Sequence, residues 1–372
     1  RLLPARIYGG LHQWREPPGR AIRRAPGLPA LSDRLLFVHE FVSGGGFAGA
    51  SPPPKLLLQG LAMLRALLAD LAGPMGPPIV TTIDDRLDLD PARALEVVPI
   101  TPGSHRTVFR ELAAAARNVW IVAPETGGCL ATLTELAEAV GARPVGATST
   151  AIRIASDKLR LSRRLAEAGI PVPRTWPAAD AGIAVREVGF PLVAKPVLGA
   201  GCEGIGLAND SAELAHVTQQ ATRPGGTALV QEYIDGTAAS ASIICSNGRA
   251  RALSLNGQDI HPGRSFSYTG GCVPLGHPLA DEALAVACRA CELVPGLAGY
   301  VGVDLVLSDH GPFVIEINPR LTTSYVGLRT VTDLNLAEVI LELVERGELP
   351  DGPKIDRKVQ FTASGSTEKF QG

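Results

Sequence analysis

Apolar positions along this chain recur in short runs that are separated by segments with helical spacing. In the first 150 residues, five apolar runs are typical of strands: 35–41, 79–83, 95–100, 119–123 and 143–147. Three intervening segments have apolar residues at helical spacing: 55–72, 105–116 and 129–140. Because strands that alternate with helices favour a parallel α/β sheet, we predict an α/β domain in this region.

The remaining chain predicts two further α/β units and two segments with little pattern. In order, the predicted boundaries are a disordered or loosely packed leader at 1–33, an N-terminal domain at 34–150, a small unit at 151–230, a C-terminal unit at 231–350 and a tail at 351–372. We expect one helix over 151–170 and a Gly-rich polar loop over 258–276. Asn247-Gly248 lies between two apolar runs and predicts a β-hairpin.

A second predicted hairpin, over residues 301–320, carries the most informative pattern. Two apolar runs flank the turn at 308–311, and acidic residues interrupt them at Asp304 and Glu316. Asn318 lies on the same face as Glu316, because strand side chains repeat every second residue. Three converging oxygen ligands of this kind suit Mg²⁺ or Mn²⁺. A hairpin with polar edge residues is the plainer alternative, although an unpaired carboxylate inside an apolar strand is costly.

The Gly-rich turn at 199–204 allows more than one interpretation. Gly199, Gly201 and Gly204 match the dinucleotide-binding fingerprint and follow a predicted strand. That fingerprint has to open a helix, whereas residues 205–208 continue as a strand. We therefore favour a β-turn-β flap whose backbone N–H groups approach phosphates. A turn with only a structural role stays open.

Charge and composition narrow the function classes. The formal net charge of −2 gives no electrostatic case for nucleic acid or an anionic membrane, and the sequence has no run of 18 uncharged apolar residues. We therefore predict that the protein binds neither nucleic acid nor a membrane. Whether it forms a homo-oligomer stays open. Six scattered cysteines predict reduced thiols in a cytoplasmic protein. Cys288 and Cys291 form a C-x-x-C pair in a helical pattern, which favours packing over zinc.

Four short motifs follow one another along the chain: Ser156-Asp157-Lys158, Ala194-Lys195-Pro196, Gln231-Glu232-Tyr233-Ile234-Asp235-Gly236 and Glu316-Ile317-Asn318-Pro319-Arg320. In this order and spacing, they resemble the ATP-grasp ligases over about residues 34–345. The resemblance implies an α/β protein with an ATP-grasp fold and an N-terminal parallel α/β (pre-ATP-grasp) domain. It also implies ATP and Mg²⁺ or Mn²⁺ as cofactors.

The resemblance implies a role for each matching residue. Lys158 and Lys195 would hold α- and β-phosphate oxygens, although Lys158 could also be a surface residue. The flap with Gly199, Gly201 and Gly204 would close over the triphosphate. The residues expected beside adenine are Gln231, Glu232, Tyr233, Ile234 and Asp235. A ribose carboxylate is missing from its usual place just after them, and Glu232 or Asp235 would have to substitute.

On the same resemblance, Asp304, Glu316 and Asn318 would hold one or two metal ions that bridge the phosphates. Arg320 would stabilise charge on the γ-phosphoryl group during transfer. Arg320 and Lys195 are therefore the expected catalytic residues. The implied chemistry joins a small-molecule carboxylate to an amine through an acyl phosphate.

The segment 37–46 is similar to the tyramine–glutamate ligase branch, which makes γ-glutamyl amides for methanofuran-type cofactors. This implies L-glutamate with tyramine or tyrosine as substrates. Another amino-acid ligase, of the D-alanine–D-alanine kind, is the alternative, followed by an ATP-binding protein without chemistry. Candidate loops for the substrate side are 43–46, 125–126, 261–272 and 322–324.

Overall fold

This computed structural model describes residues 34–73, 76–89, 95–222 and 226–369. The predicted leader at 1–33 lies outside the described residues. The helices are α1 Pro54–Leu71, α2 His105–Ala115, α3 Cys129–Ala139, α4 Ser149–Ser156, α5 Lys158–Glu167, α6 Ala181–Val188, α7 Ser211–Thr222, α8 Ala280–Glu292, α9 Ser324–Val331 and α10 Leu336–Arg346. Among the described residues, no helix has the length and apolarity that crossing a membrane requires.

The strands of the described segments form three sheets. Their bounds are β1 Leu36–Glu40, β2 Ile79–Asp84, β3 Leu95–Ile100, β4 Asn118–Val122, β5 Arg143–Pro144, β6 Thr175–Pro177, β7 Leu192–Pro196, β8 Gly206–Ala208, β9 Ala228–Glu232, β10 Thr237–Ser246, β11 Arg249–His261, β12 Ser267–Val273, β13 Gly299–Ser308, β14 Gly311–Asn318, β15 Val359–Thr362 and β16 Thr367–Lys369.

The N-terminal sheet is parallel, with strand order β3-β2-β1-β4-β5, as the alternating pattern predicted. Every residue of β1, β2 and β4 is buried, which explains why these strands read as nearly continuous apolar runs. β5 covers only Arg143–Pro144, shorter than the predicted 143–147. Pro144 has no N–H to donate, so the ladder weakens here.

The next sheet is small and antiparallel, with order β6-β9-β7-β8. Its own apolar cluster includes Leu192, Val217 and Val230. The single helix predicted over 151–170 is wrong, because α4 and α5 are separate helices. Asp157 between them is extended, and its side chain accepts a hydrogen bond from the Arg160 N–H as the N-cap of α5.

The third sheet has the order β14-β13-β10-β11-β12-β15-β16. The hairpin at Asn247-Gly248 is confirmed, with both residues at positive φ (51° and 74°). The polar loop predicted over 258–276 is wrong, since β11 and β12 fill most of it. The tail predicted at 351–372 contributes β15 and β16, which extend this sheet beyond β12. Gly270 misled the prediction: a Cβ there would lie 2.1 Å from the Phe361 carbonyl oxygen, so glycine permits close strand approach.

Helix α1 joins the N-terminal sheet to the C-terminal helices. The Asp70 carboxylate accepts hydrogen bonds from Tyr325 and Arg329 of α9, and the Asp70 carbonyl accepts one from Asn335 at 2.7 Å. Leu67 of α1 belongs to one continuous apolar cluster with residues of α9 and α10. These contacts fix one face of α1 and leave another face toward the centre of the molecule.

Two histidines are buried in the N-terminal sheet region. His39 Nε2 lies 3.2 Å from His105 Nε2, and His39 Nδ1 lies 2.7 Å from Thr82 Oγ1. Burial lowers the pKa of His105 to about 4. Burial, together with the charge of His105, lowers the pKa of His39 well below its usual value. The folded protein therefore holds both rings neutral.

This pair predicts a loss of stability in mild acid. Below about pH 6.5 the unfolded chain binds protons that the folded chain refuses, so the free energy of unfolding falls as pH drops toward 4. The slope is about 1.4 kcal/mol per pH unit for each histidine. Urea unfolding at pH 7 and pH 5 checks this: the free energy of unfolding of His105→Gln should fall less between the two pH values than that of the parent. His216→Gln, on an exposed helix face, is the control and should lose as much as the parent. An equal loss of unfolding free energy in the parent and His105→Gln would contradict the prediction.

Candidate functional site

A cavity of about 380 Å³ lies where residues of all three sheets and helix α1 meet. Most residues predicted for the site line it: Lys195, Gly201, Gln231, Glu232, Tyr233, Ile234, Asp304, Glu316, Asn318 and Arg320. Gly199, Gly204, Lys158 and Asp235 are not among its lining residues. Lys158 and Gly199 still reach the site through hydrogen bonds described below.

The β13–β14 hairpin brings the predicted oxygen ligands together. Asp304 and Glu316 are directly opposite in the antiparallel register. Asn318 Nδ2 donates to Asp304 Oδ2 at 3.2 Å and to Glu316 Oε1 at 3.4 Å. Gln258 Nε2 donates to Asp304 Oδ1 at 2.9 Å. Sequence reasoning missed Gln258 because it assigned this part of β11 to a loop.

The two facing carboxylates have opposite electrostatic environments. Burial, and then the charge of Glu316, raise the pKa of Asp304 well above its usual value. Burial alone would also raise the pKa of Glu316, but the charges of Lys158 and Lys195 outweigh it and hold this pKa at about 2. The two lysines therefore stabilise the charged form of Glu316, whereas burial and the charge of Glu316 together disfavour the charged form of Asp304.

This donor set fits a hard divalent cation. A cation between Asp304 and Glu316 would remove the repulsion that raises the pKa of Asp304. A half-turn of the Asn318 amide would present its oxygen as a third ligand. Among the described residues, no group of three or more His, Cys, Asp and Glu side chains suits a metal ion, so remaining ligands would come from phosphate or water.

Two lysine amines lie beside the carboxylates. Lys158, the first residue of α5, places Nζ 3.0 Å from Glu316 Oε2 and donates to the Gly199 carbonyl at 2.7 Å. Lys158 is buried, so the alternative of a surface lysine is wrong. Lys195 is buried in β7, and burial lowers its pKa to about 8. An arriving phosphate would favour the charged form of the Lys195 amine.

The Gly-rich turn connects β7 to β8 and opens no helix, which contradicts the dinucleotide interpretation. Gly201, Cys202 and Gly204 all have positive φ, between 64° and 73°. A chain in this conformation exposes backbone N–H groups, as a phosphate-binding flap requires. The Gly199 carbonyl ties the flap to Lys158.

The segment predicted for adenine follows β9 along the cavity wall. The Gln231 side chain donates to Thr175 Oγ1 at 2.8 Å, so its role in the small sheet is structural. Glu232 accepts a hydrogen bond from the Arg174 N–H at 3.2 Å and also lines the cavity. Since Asp235 does not line the cavity, Glu232 is the better placed of the two predicted ribose carboxylates.

Arg320 forms a two-pronged ion pair with a residue of the N-terminal unit. Its Nε lies 2.8 Å from Glu125 Oε1, and its Nη2 lies 2.9 Å from Glu125 Oε2. Glu125 is 3% exposed and follows the last residues of β4. Sequence reasoning marked Glu125 as a substrate-side candidate but missed this pairing, because the partners are 195 positions apart.

Glu40, at the end of β1, is a further buried carboxylate that sequence reasoning missed. It accepts hydrogen bonds from Val42 N–H at 3.1 Å, Ser43 N–H at 2.7 Å and Ser43 Oγ at 2.6 Å. Burial raises its pKa, and these hydrogen bonds partly offset the effect. An acidic residue at the end of a strand that begins with three apolar residues is the signal that could have found it.

Family models match most of this architecture. An ATP-grasp domain matches residues 155–324, and a pre ATP-grasp 3 domain matches residues 78–152. A Pseudomonas fluorescens protein named "Probable alpha-L-glutamate ligase" is 31% identical over 226 residues, which cover 59% of this chain and 72% of that protein. The chain belongs to the ATP-grasp family. The expected fold class and family resemblance are thereby confirmed.

The chain is also similar to a named ligase and to two solved structures. The tyramine–L-glutamate ligase of Methanocaldococcus jannaschii is 32% identical over 229 residues, and the match spans 62% of this chain and 63% of that enzyme. An Archaeoglobus fulgidus structure described as an ATP-grasp superfamily protein superposes with a TM-score of 0.66 at 27% identity, covering 88% of this chain and 92% of that one. A Campylobacter jejuni biotin carboxylase shares the fold, with a TM-score of 0.70 at 16% identity over 87% of this chain and 74% of that one.

The geometry predicts which nucleotides stabilise the protein. ATP or ADP with Mg²⁺ should raise the melting temperature by binding only the folded state, with a gain of about 2.7 kcal/mol at a hundredfold excess over Kd. NAD and NADP should give no shift, since the Gly-rich turn opens no helix. Differential scanning fluorimetry checks both arms. A shift with NAD and none with ATP would contradict the assignment of the cavity.

Proposed function

We propose that this protein is an ATP-dependent, ADP-forming ligase that joins a small-molecule carboxylate to an amine. The observation that carries the proposal is the buried cluster of Asp304 and Glu316 with Lys158 and Lys195, beside Arg320 in one cavity. Such a cluster suits a polyphosphate, a divalent cation and a developing negative charge. The six cysteines are free in the structure, which supports the expected cytoplasmic location.

The residues of this chain would act mainly by position and charge. Lys158 and Lys195 would neutralise phosphate oxygens, while the Gly-rich flap at 199–204 would cover them. Asp304, Glu316 and Asn318 would hold a divalent cation, which would supply positive charge to neutralise phosphate oxygens. Arg320 would give up part of its bond to Glu125 and face the γ-phosphoryl group. Lys195 is only 2% exposed, so water is largely excluded from this part of the site.

The reaction then proceeds in two displacements. The substrate carboxylate attacks the γ-phosphorus, which yields an acyl phosphate and ADP. The amine attacks the acyl carbon, phosphate leaves, and an amide remains after loss of a proton from nitrogen. No side-chain nucleophile of the protein is needed for either displacement.

L-Glutamate with tyramine or tyrosine is the substrate pair that we propose. Its support is the 31–32% identity to two tyramine–L-glutamate ligases over about 60% of this chain. The product would be a γ-glutamyl amide of the kind found in methanofuran-type cofactors. The similarity to the alpha-L-glutamate ligase favours glutamate on the carboxylate side, while leaving an amino acid as the alternative amine.

Glu316→Gln tests the cation site. The substitution should lower ligase turnover by about a hundredfold, because a charged metal ligand becomes neutral. Folding should persist, since the amide keeps the side chain's shape. Glu345→Gln, on an exposed face of α10, is the matched control and should keep parental turnover. Near-normal turnover of Glu316→Gln at saturating Mg²⁺ or Mn²⁺ would show that Glu316 is not a ligand of the cation.

The reaction itself is tested by ADP release with mass spectrometry of the product. L-Glutamate, tyramine, ATP and Mg²⁺ should yield one ADP for each γ-glutamyl amide. Arg320→Lys should lower turnover more than ATP affinity, since a point charge cannot replace the planar guanidinium. ADP formed with D-alanine or another amino-acid pair, and none with glutamate, would overturn the substrates but retain the ligase. No ADP with any pair would favour a non-catalytic ATP-binding protein.

A further inference from the structure

One face of helix α1 lines the cavity, although α1 belongs to the N-terminal unit. The lining residues are Leu56, Gln59, Gly60 and Met63, which stand at positions i, i+3, i+4 and i+7 of the helix. This spacing places all four on one stripe of the helix surface. We call it the α1 stripe. None of the ATP-grasp motifs described above includes a residue of this stripe.

The α1 stripe is apolar apart from one amide. Leu56 and Met63 supply aliphatic surface, and Gln59 is the polar member. Phe266 and Tyr268 line the same cavity and add aromatic surface. Burying the apolar, ring-sized body of a substrate against this wall would stabilise binding. A compact, fully hydrated substrate would bury little apolar surface there.

Gly60 allows the Glu40 carboxyl group to pack directly against the α1 stripe. A Cβ at this position would lie 2.6 Å from the Glu40 carboxyl group, so glycine allows that group to rest on the helix. Glu40 Oε2 accepts two hydrogen bonds from Ser43, whereas Oε1 accepts one from Val42 N–H among the described residues. A carboxylate oxygen can accept two hydrogen bonds. Oε1 can therefore accept a second one from an ammonium or amine N–H.

The α1 stripe shares its cavity with Glu40, Arg320 and the facing carboxylates of the β13–β14 hairpin. Burial raises the pKa of Glu40, and the charge of Arg320 opposes that rise. A substrate carboxylate belongs beside Arg320 and the cation. The Glu40 carboxyl group, with one acceptor position left on Oε1, disfavours a second carboxylate at the stripe and favours an amine or ammonium donor.

Building on the ligase function proposed above, we propose that the α1 stripe and Glu40 form the amine subsite. It takes primary amines with an apolar, ring-sized body, with Leu56 and Met63 against the body and Glu40 toward the nitrogen. Arylalkylamines such as tyramine and 2-phenylethylamine fit this description. Ethanolamine is too compact to cover Leu56 and Met63, and the additional carboxylate of L-aspartate would face Glu40.

Steady-state kinetics of Leu56→Ala and Met63→Ala test this assignment. Each variant should raise KM for tyramine about tenfold, because methylene contacts to the ring are lost. KM for ATP and for L-glutamate should stay within twofold of the parent. Leu58→Ala is the matched control: Leu58 is 51% exposed on the same helix and should leave all three KM values unchanged. In the parent, kcat/KM should be higher for tyramine and 2-phenylethylamine than for ethanolamine. In Leu56→Ala and Met63→Ala, this ratio of kcat/KM values should be smaller.

The outcomes separate this inference from the ligase proposal. ADP release by the parent, with tyramine KM unchanged in both Leu56→Ala and Met63→Ala, would overturn the amine subsite alone. A rise in the L-glutamate KM instead would assign the stripe to the carboxylate substrate and also overturn it. No ADP with any substrate pair would overturn the ligase proposal itself. The ATP-dependent melting shift of each variant shows that it is folded.

Discussion

The repulsion between Asp304 and Glu316 is the constraint on which the rest of the site depends. Opposite positions in an antiparallel register force these side chains together, and burial removes the water that would screen them. Lys158 and Lys195 compensate Glu316, but Asp304 keeps a raised pKa. A buried pair of this kind is costly unless a further cation is present, which explains why binding chemistry concentrates at this hairpin.

The sheet architecture delivers the other groups to that hairpin. Lys195 comes from the small antiparallel sheet, and Lys158 comes from the helix that follows the break at Asp157. Arg320 directly follows β14 and is held by Glu125 from the N-terminal unit. Each unit therefore contributes charge to one cavity, and no unit contains the full set.

The features that could be predicted from sequence were local ones. The β13–β14 hairpin joins its strands by a two-residue loop, and the facing of Asp304 and Glu316 is confirmed. A β-bulge between Asp304 and Leu305 shifts the register by one residue to bring the two carboxylates opposite each other, and spacing alone does not predict that shift. The role of Gly270 was hidden, because glycine signals both loops and close strand contacts. Glu125 with Arg320, and Glu40 against Gly60, depend on distant segments meeting in space, which a single sequence does not show.

The ion pair between Glu125 and Arg320 has a thermodynamic consequence for the whole molecule. An anion that binds Arg320 competes with Glu125 for the same guanidinium donors, and Glu125 belongs to a different unit of the chain. Occupancy of the anion site and the contact between the units are therefore linked equilibria, and such linkage is reciprocal. The contact with Glu125 lowers the affinity of Arg320 for an anion by the same free energy by which a bound anion weakens that contact.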